Sequence, residues 1–350
     1  MIPEEILDSY DVGSVRSVKP ISVGLIHQTY KVTTGKGVFV LQRLHPVLES
    51  PAIGKDFFVV TTFLNDKGFS APKCVLTKKL KVLAKDGEGR MWRMQTFLDG
   101  KTHAMVKDAN MAREAGAMFG RFHKTLSGLR YEFKSKKVLH ETEKIFKTFT
   151  SVAKKNWKSP LMNDVAQEVA FVSEEIHKVL LPANLPLRAI HGDPKISNLL
   201  FDAKGKACGV VDLDTCNRRP LLVETGDMFR SWCGQNEDDP NNAFRLDIFH
   251  AAWNGYSKEL SPPAKVEVGG GGRGGFLTGR ERKLVPLSIA TITLELASRF
   301  LSDYFNDSYF GWDASRYPSR RAHNLSRTQG QLALYRDVWK KMEKIKRIVA

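Results

Sequence analysis

The sequence predicts an α+β fold with two lobes, in which a small antiparallel sheet precedes a mainly helical part. Short alternating strands separated by glycine turns fill residues 1–98 of the 350-residue chain. Apolar residues recur at helical spacing through most of 99–350, and an acidic hairpin at 191–214 lies within that second part. We therefore expect an N-terminal lobe of 1–98 and a C-terminal lobe of 99–350.

The N-terminal lobe is expected to consist of short strands around one mostly buried helix. Glycines and polar residues mark the turns between the strands, and β-branched or aromatic residues alternate within them. The predicted elements are a helix and turn at 1–18, a hairpin over 21–33 with its bend at 25–28, a third strand at 38–44, a helix at 51–65, and strands at 73–76, 80–84 and 91–97.

The C-terminal lobe is expected to be built from amphipathic helices, because its apolar residues recur every three or four positions. Pro286 suits the first turn of a long apolar helix, where a missing N–H group costs nothing. The predicted helices cover 108–126, 162–179, a segment that opens at Asp227, 245–260, Pro286 to about Leu301, and a last helix that ends near 348.

The acidic hairpin is the stretch that carries chemistry. Residues 189–190 and 199–201 have the apolar character of strands, 202–206 form a turn, and a buried strand at 208–211 ends at Asp212. This geometry brings Asp193, Asn198 and Asp212 close together.

Phosphoryl transfer requires such a group. One carboxylate accepts or orients the proton of an attacking hydroxyl, while an amide oxygen and a second carboxylate hold Mg²⁺ against nucleotide phosphates. Asp193 and Asn198 are five positions apart, the spacing of the Asp and Asn in the catalytic loop of protein kinases. We predict a catalytic Asp193, metal ligands Asn198 and Asp212, and ATP with Mg²⁺ as cofactors.

The first hairpin and the third strand are the expected phosphate-binding elements. The bend places Gly24, His27 and Thr29 over the nucleotide. The third strand should carry a basic residue for the α and β phosphates, but that position holds Gln42 and Arg43 follows it. Alternation puts these two side chains on opposite faces, so either Gln42 replaces the cation or a local shift brings Arg43 in.

The segment between the lobes is the expected adenine site. Backbone groups from Gln95 to Phe97 would meet the base, and residues 98–100 would form the hinge. Side chains here carry little signature of this role, so the prediction depends on position alone.

The loop H-G-D-x-x-x-x-N and the strand ending in D-x-D resemble the aminoglycoside phosphotransferase/choline kinase superfamily. The resemblance implies a bilobal protein-kinase-like fold, and it implies that Asp227 braces the catalytic loop. Several segments look like the N-acetylhexosamine 1-kinase branch, which implies ATP-dependent phosphorylation of the anomeric hydroxyl of N-acetylglucosamine or N-acetylgalactosamine. These segments are 24–30, 40–43, 211–215, 226–231, 299–304 and 323–329.

Polar and aromatic residues of the C-terminal lobe are candidates for binding the acceptor. Arginine and carboxylate groups hydrogen-bond neighbouring hydroxyls in pairs, and aromatic rings stack on sugar faces. The candidates are Arg230, Arg299, Asp303, Tyr304 and Tyr317.

Three alternatives stay open. A kinase of the same fold can act on another small alcohol, such as homoserine, choline or an aminoglycoside. A binding protein can keep the kinase-like fold with little activity, which Gln42 allows. A nucleic-acid-binding protein can use the basic surface, and steeply salt-dependent binding to random oligonucleotides without kinase activity would support it.

The composition of the chain bears on its binding partners and on its location in the cell. The net charge of +16 is spread along the chain, without the aromatic and basic alternation of an RNA-binding sheet, so we expect a small-molecule acceptor and no specific nucleic acid. Four cysteines without metal-binding spacing and the lack of a long apolar run favour a cytoplasmic protein with no membrane span. The glycine run at 269–275 lacks the lysine of a phosphate-binding loop and is expected to be a surface loop.

Overall fold

The computed structural model describes residues 2–21, 27–261 and 276–350. It confirms the predicted fold class, since an antiparallel sheet occupies the N-terminal part and helices dominate the rest. Residue 98 lies between the last strand of that sheet and the next helix. The division into lobes of 1–98 and 99–350 remains a prediction. The glycine run at 269–275 lies outside the described residues.

The N-terminal sheet has the strand order β1-β2-β3-β6-β4, and β5 pairs with β6. One face of the sheet buries Val32, Leu41 and Met94 together with Ile6 and Trp92. The elements are α1 (Glu4–Asp8), β1 (Val15–Ile21), β2 (Gln28–Thr34), β3 (Gly37–Arg43), α2 (Pro51–Asp66), β4 (Cys74–Val75), β5 (Ala84–Lys85) and β6 (Met91–Thr96).

Helix α2 connects the sheet to the second lobe. Ser50 caps it by accepting a hydrogen bond from Ile53 N at 3.2 Å. Its residues Phe57, Val60 and Leu64 belong to the large core of the helical part rather than to the small core of the sheet. An element of the N-terminal lobe therefore shares one core with Leu199 and Val210 of the acidic hairpin.

The helical part surrounds two short two-stranded sheets, which carry the acidic hairpin. β8 pairs with β9, as predicted, and β7 pairs with β10. The elements are α3 (Ala109–Leu126), α4 (Thr142–Lys155), α5 (Ala166–Glu175), β7 (Leu187–Ile190), β8 (Leu199–Phe201), β9 (Ala207–Val210), β10 (Asn217–Pro220), α6 (Leu221–Cys233), α7 (Leu246–Leu260), α8 (Gly279–Asn306), α9 (Arg320–Lys340) and α10 (Met342–Val349).

Several predicted boundaries are wrong. Strand β1 begins within the predicted helix and turn of 1–18, and only Ala84 of the strand expected at 80–84 is in a strand. Helix α4 was not predicted, and the helix expected over 162–179 is broken. Helix α6 begins at Leu221, six residues before Asp227. Helix α8 begins at Gly279 and has Pro286 in its interior, because Thr278 and Glu281 form a reciprocal capping box.

Helix α8 also passes a test of length and composition for a membrane span. Of its most apolar window, 83% is buried inside the fold, which is the environment of a core helix. Among the described residues it is the one helix that passes. The expectation of no membrane span therefore stays a prediction, and α8 is the one described helix that bears on it.

Candidate active site

The catalytic loop follows β7 and is held by backbone contacts. Gly192 has a φ of +85°, in the left-handed region that favours glycine. Thr215 Oγ1 donates to the carbonyl of His191 at 2.9 Å, and the indole of Trp232 donates to the carbonyl of Pro194 at 2.8 Å. The loop is thus fixed from both sides, which fixes the direction of Asp193.

Glu224 of α6 is the carboxylate that braces the loop. It accepts the backbone N–H of His191 at 2.9 Å and that of Gly192 at 2.8 Å. Burial by itself would raise the pKa of Glu224, but the hydrogen bond and charge of His123 hold it below its usual value. The expectation that Asp227 braces the loop is therefore wrong, because the brace lies one helical turn earlier.

The three residues predicted to carry the chemistry lie around the end of the hairpin. Asn198 Nδ2 donates to the backbone carbonyl of Asp193 at 2.8 Å and to its Oδ2 at 3.3 Å. Asp212 comes next along the hairpin, after β9. Since the Asn198 amide nitrogen faces Asp193, the Asn198 carbonyl oxygen is the atom left to serve as a metal ligand.

Lys195 was not predicted and pairs with Asp193, with Nζ 2.7 Å from Oδ2. Burial by itself would lower the pKa of Lys195, but the charge and hydrogen bond of Asp193 raise it, with smaller contributions from Asp212 and Asp227. The Lys195 side chain is therefore a cation beside the predicted base.

Asp212 has the properties of a cation ligand. Its backbone is left-handed, with a φ of 63°, and within the described residues its carboxylate accepts no hydrogen bond from a side chain or backbone group. Burial raises the pKa of Asp212, and the charges of Asp214 and Asp193 raise it further. A half-buried carboxylate crowded by two others fits a divalent cation, since carboxylate and amide oxygens are the ligands that Mg²⁺ prefers.

Asp214 is bound by the N-terminal lobe. Arg93 of β6 makes a two-point contact with it, Nη2 lying 2.9 Å from Oδ2 and Nη1 binding Oδ1. His27 Nε2 lies 2.8 Å from Oδ2, and His27 Nδ1 accepts the N–H of His45 at 3.1 Å. Burial by itself would raise the pKa of Asp214, but Arg93 and His27 hold it well below its usual range.

His27, Asp212 and Asp214 place one ligand atom each within 4.8 Å of one another. His27 Nδ1 accepts a backbone N–H, so its proton lies on Nε2 and points to Asp214. That assignment makes His27 a partner of Asp214 rather than a metal ligand.

The other residues predicted to bind phosphate have different positions. Gln42 accepts from Arg93 Nη2 at 2.7 Å and donates to Thr29 Oγ1 at 3.5 Å, so it lies within the same network. Arg43 lies on the opposite face of β3 near Asp86. We therefore drop Arg43 from the nucleotide site. Gly24 lies outside the described residues.

In the segment predicted to bind adenine, two backbone N–H groups are hydrogen-bonded within the sheet. Phe97 N donates to the carbonyl of Val38 at 3.1 Å and Thr96 N donates to that of Lys73 at 2.9 Å, so these N–H groups are not available to a base. The Gln95 side-chain oxygen is buried without a hydrogen-bond partner. Lys31 Nζ lies 4.0 Å from the centre of the Phe97 ring. The adenine contact at Gln95 to Phe97 remains a prediction, without the N–H groups of Thr96 and Phe97 as its donors.

Arg230 lies in a buried cluster of charges on α6 and α8. Its guanidinium binds Asp227 Oδ1 at 2.6 Å. His140 Nδ1 lies 2.7 Å from Glu295 Oε1, and His140 Nε2 lies 3.5 Å from Asp227 Oδ2. Asp227 contributes to the raised pKa of Lys195, so the cluster borders the catalytic loop. This position keeps Arg230 as a candidate for binding the acceptor.

Three of the residues predicted to bind the acceptor already hydrogen-bond to other residues of the chain. Asp303 accepts the backbone N–H groups of Ser308, Tyr309 and Phe310 and a bond from Asn324. Each carboxylate oxygen of Asp303 thus already accepts two hydrogen bonds, so we no longer consider Asp303 a sugar ligand.

Tyr304 and Tyr317 are held in a similar way. The Tyr304 hydroxyl donates to Asp164 at 2.9 Å, and that of Tyr317 donates to Asp238 at 2.9 Å. The Tyr317 ring stacks on His323, with ring centres 4.1 Å apart. Both hydroxyl groups therefore hydrogen-bond within the fold, and His323 covers one face of the Tyr317 ring.

Arg299 is different, because it packs on aromatic rings without a carboxylate. Its Cζ lies 5.8 Å from the centre of the Tyr309 ring and 5.4 Å from that of Phe310. Within the described residues Arg299 has no salt-bridge or hydrogen-bond partner, so its N–H groups are available to a ligand. Arg299 therefore remains a candidate for binding the acceptor.

The cluster around His140 predicts a pH dependence of stability. Burial by itself would lower the pKa of His140, but Glu295 and Asp227 outweigh it and raise that pKa from 6.5 to about 10. A raised pKa gives stability that is fully present below pH 6.5 and is lost as the pH rises through about 10. Urea unfolding near both ends of this range should show the wild type losing more stability than His140→Gln.

The exposed His177 serves as the control, since His177→Gln should follow the wild type over the same range. An equal loss of stability in the wild type and in His140→Gln would contradict the assigned charge of His140.

Sequence reasoning missed Arg93 and Glu224. Arg93 is the one charged residue in β6, and a lone charge among apolar neighbours in a strand signals a buried ion pair. Its partner Asp214 is 121 positions away, so the pairing could not be deduced. Glu224 has the same signal, because it follows three apolar residues at the start of α6.

An antiparallel N-terminal sheet and a helical C-terminal part, with Asp193, Asn198 and Asp212 around one hairpin, form a kinase-like fold. The chain belongs to the phosphotransferase enzyme family (APH), which matches residues 17–257. It is a small-molecule phosphotransferase with an alcohol group as acceptor, and the family's reaction uses ATP.

Relatives and solved structures agree with this. Homoserine kinase of Methylocella silvestris is 24% identical over 300 residues, which are 86% of this chain and 84% of that protein. An aminoglycoside phosphotransferase of Alicyclobacillus acidocaldarius has a TM-score of 0.66 at 12% identity, covering 98% of this chain and 97% of that one. A microcompartment-associated aminopropanol kinase has a TM-score of 0.63 at 14% identity, covering 98% and 97%.

One similar structure holds a nucleotide and a metal. Amicoumacin kinase in complex with AMP-PNP and Ca²⁺ has a TM-score of 0.58 at 14% identity, covering 98% of this chain and 96% of that one. The likeness concerns the fold.

Proposed function

We propose that this protein is an ATP-dependent kinase that transfers the γ-phosphate to the anomeric hydroxyl of an N-acetylhexosamine. The observation that carries the kinase part is the placement of Asp193 beside Asn198 and Lys195, with Asp212 at the end of the next strand. The sugar part rests on the segments that resemble the N-acetylhexosamine 1-kinase branch.

Each residue of the proposed site has a separate role in phosphoryl transfer. Asp193 orients the acceptor hydroxyl and takes its proton, and the fixed loop keeps its carboxylate in place. Asn198 and Asp212 would hold Mg²⁺, whose charge offsets that of the phosphates. Lys195 supplies a positive charge next to Asp193, where negative charge develops on the transferred group. Direct in-line transfer needs no covalent enzyme intermediate.

The acceptor is proposed to lie beside the cluster of Asp227, Arg230 and His140. Arg230 and Arg299 are the candidates that remain, since both can donate paired hydrogen bonds to neighbouring hydroxyls. The four cysteines are free thiols in the described chain, which supports a reducing compartment, and we propose the cytoplasm.

A homoserine kinase is the second candidate. It is favoured by the curated relatives, several of which are homoserine kinases about 24% identical to this chain. Arg230 or Arg299 could pair with the carboxylate of an amino-acid acceptor.

A substrate panel tests these proposals. ATP consumption would be followed with Mg²⁺ and N-acetylglucosamine, N-acetylgalactosamine, glucose, homoserine, choline or kanamycin. We expect turnover on an N-acetylhexosamine, with a product that lacks a free reducing end, because transfer to the anomeric hydroxyl blocks ring opening. Turnover on homoserine alone would replace the acceptor and keep the mechanism. Nucleotide binding without turnover on any compound would contradict the proposed acceptors.

A further inference from the structure

The expected phosphate-binding strand lacks its cation, and a neighbouring strand carries one. In protein kinases a lysine of the third strand pairs with a carboxylate, and the pair must be in place for activity. Here the position of that lysine holds Gln42, and Gln42 faces Arg93 across the β3–β6 pairing. Gln42 accepts a hydrogen bond from Arg93, a cation 51 positions later in the chain.

Arg93 is not a residue that reaches out to phosphates. Its side chain is 1% exposed, and that of Asp214 is 0% exposed. Its guanidinium lies over the ring of Phe57 in α2, with Cζ 3.7 Å from the ring centre. The charge of Arg93 is directed to the carboxylate of Asp214.

Asp214 is two residues after the proposed metal ligand Asp212. The left-handed backbone of Asp212 is a conformation that non-glycine residues adopt only when their surroundings hold it. The contacts that hold this turn come from Arg93 and His27 on one side and from the bond between Thr215 and His191 on the other. The turn is therefore bound to the N-terminal sheet and to the catalytic loop at once.

We propose that the Arg93–Asp214 ion pair, completed by Gln42 and His27, replaces the lysine–carboxylate pair of kinases and keeps Asp212 aligned with the nucleotide-binding sheet. In this arrangement Arg93 and Asp214 are positioning residues, and Asp214 is a lobe anchor instead of a second metal ligand. The inference rests on the proposed function, since it concerns how the same site holds Mg²⁺ and nucleotide.

The test separates metal-dependent binding from general stability. Mg²⁺ should strengthen the binding of the non-hydrolysable nucleotide AMP-PNP to the wild type, measured by calorimetry with Mg²⁺ and with EDTA. The main variant is Arg93→Gln with Asp214→Asn, which removes both charges and leaves no orphaned buried ion. We expect this double variant to lose at least about tenfold of the strengthening by Mg²⁺, while its affinity in EDTA stays near that of the wild type.

Arg93→Lys provides the second variant, because it keeps the charge but cannot bind both oxygens of Asp214 and Gln42 together. A smaller loss of the Mg²⁺ effect is expected from it. The matched control is Arg188→Gln with Glu281→Gln, which removes another two-point pair, between the half-buried Arg188 and the buried Glu281, with Arg188 Nη2 and Glu281 Oε2 3.0 Å apart. This control should lower the melting temperature without changing the Mg²⁺ effect.

Several outcomes would overturn the inference. These are an unchanged Mg²⁺ effect in the folded Arg93/Asp214 variant, an equal loss in the Arg188/Glu281 control, or the failure of both Arg93 variants to fold, which would assign the pair to folding alone. If the wild type binds no nucleotide with or without Mg²⁺, the proposed function itself fails. Binding by the wild type with no change in the variant refutes only the role of the pair.

Discussion

Replacing Asp193 by asparagine should reduce kcat by a factor of about 10²–10⁴ and leave Mg²⁺–nucleotide binding close to that of the wild type. The amide keeps the shape of the side chain, but it cannot take the proton of the acceptor hydroxyl. Nucleotide and metal are expected to be held by other residues, mainly Asn198 and Asp212. Steady-state kinetics on the acceptor found by the substrate panel, with calorimetry of AMP-PNP binding, would measure both effects.

The control for this variant is Asp202→Asn, in the turn of the same hairpin. Asp202 accepts the backbone N–H groups of Lys204 and Lys206 in an exposed turn, so its replacement should leave kcat nearly unchanged. Wild-type kcat in Asp193→Asn would refute the assignment of Asp193. A parallel loss of nucleotide binding would place Asp193 in the nucleotide site instead.

Gly192→Ala should damage both stability and activity. A Cβ at this position would collide with the carbonyl oxygen of Thr215 and lie 3.1 Å from its carbonyl carbon, at a φ of +85°. Left-handed backbone and overpacking together are expected to lower the free energy of unfolding by about 2–4 kcal/mol. Displacement of Asp193 by about 1 Å would lower kcat by about 100-fold.

The control is Gly205→Ala in the turn between β8 and β9. Gly205 has a φ of +77° and nothing lies within 4 Å of its Cβ position. This variant therefore isolates the backbone cost, about 1 kcal/mol, without a collision. Urea unfolding and kcat would be measured for both variants, to separate the effect of the collision from that of the backbone. Equal losses of stability and kcat in the two variants would show that the collision with Thr215 does not contribute.

Much of the fold could be predicted because its signals are local. Alternating residues and glycine turns indicate the strands of the sheet, and the buried run 199–201 followed by a turn and a second buried run indicates β8 and β9. The failures are misplaced boundaries and one helix that was not predicted. The start of α8 was misplaced because Pro286 was given more weight than the capping signal of Thr278 and Glu281. Helix α4 was missed although its residues 146, 149 and 153 have helical spacing.

The candidate site divides in the same way. Asp193, Asn198 and Asp212 lie on one short hairpin, and so their spacing in sequence already implies their proximity. Arg93 and Glu224 contact this hairpin from distant positions, and no local pattern names their partners. Asp303 shows the converse error, because a polar residue near the end of a helix suggested a ligand while the next loop uses its oxygens.

The sequence by itself determined the fold class, the hairpin at 199–210 that carries the candidate site, and the reaction class, since these depend on periodicity and on residues close along the chain. The tertiary structure alone decided that Arg93 of β6 pairs with Asp214, that Glu224 braces the loop, and that Gln42 rather than Arg43 contacts Arg93. The physical reason is that buried charges must be paired, and the identity of each partner depends on which distant segments the hydrophobic core brings together.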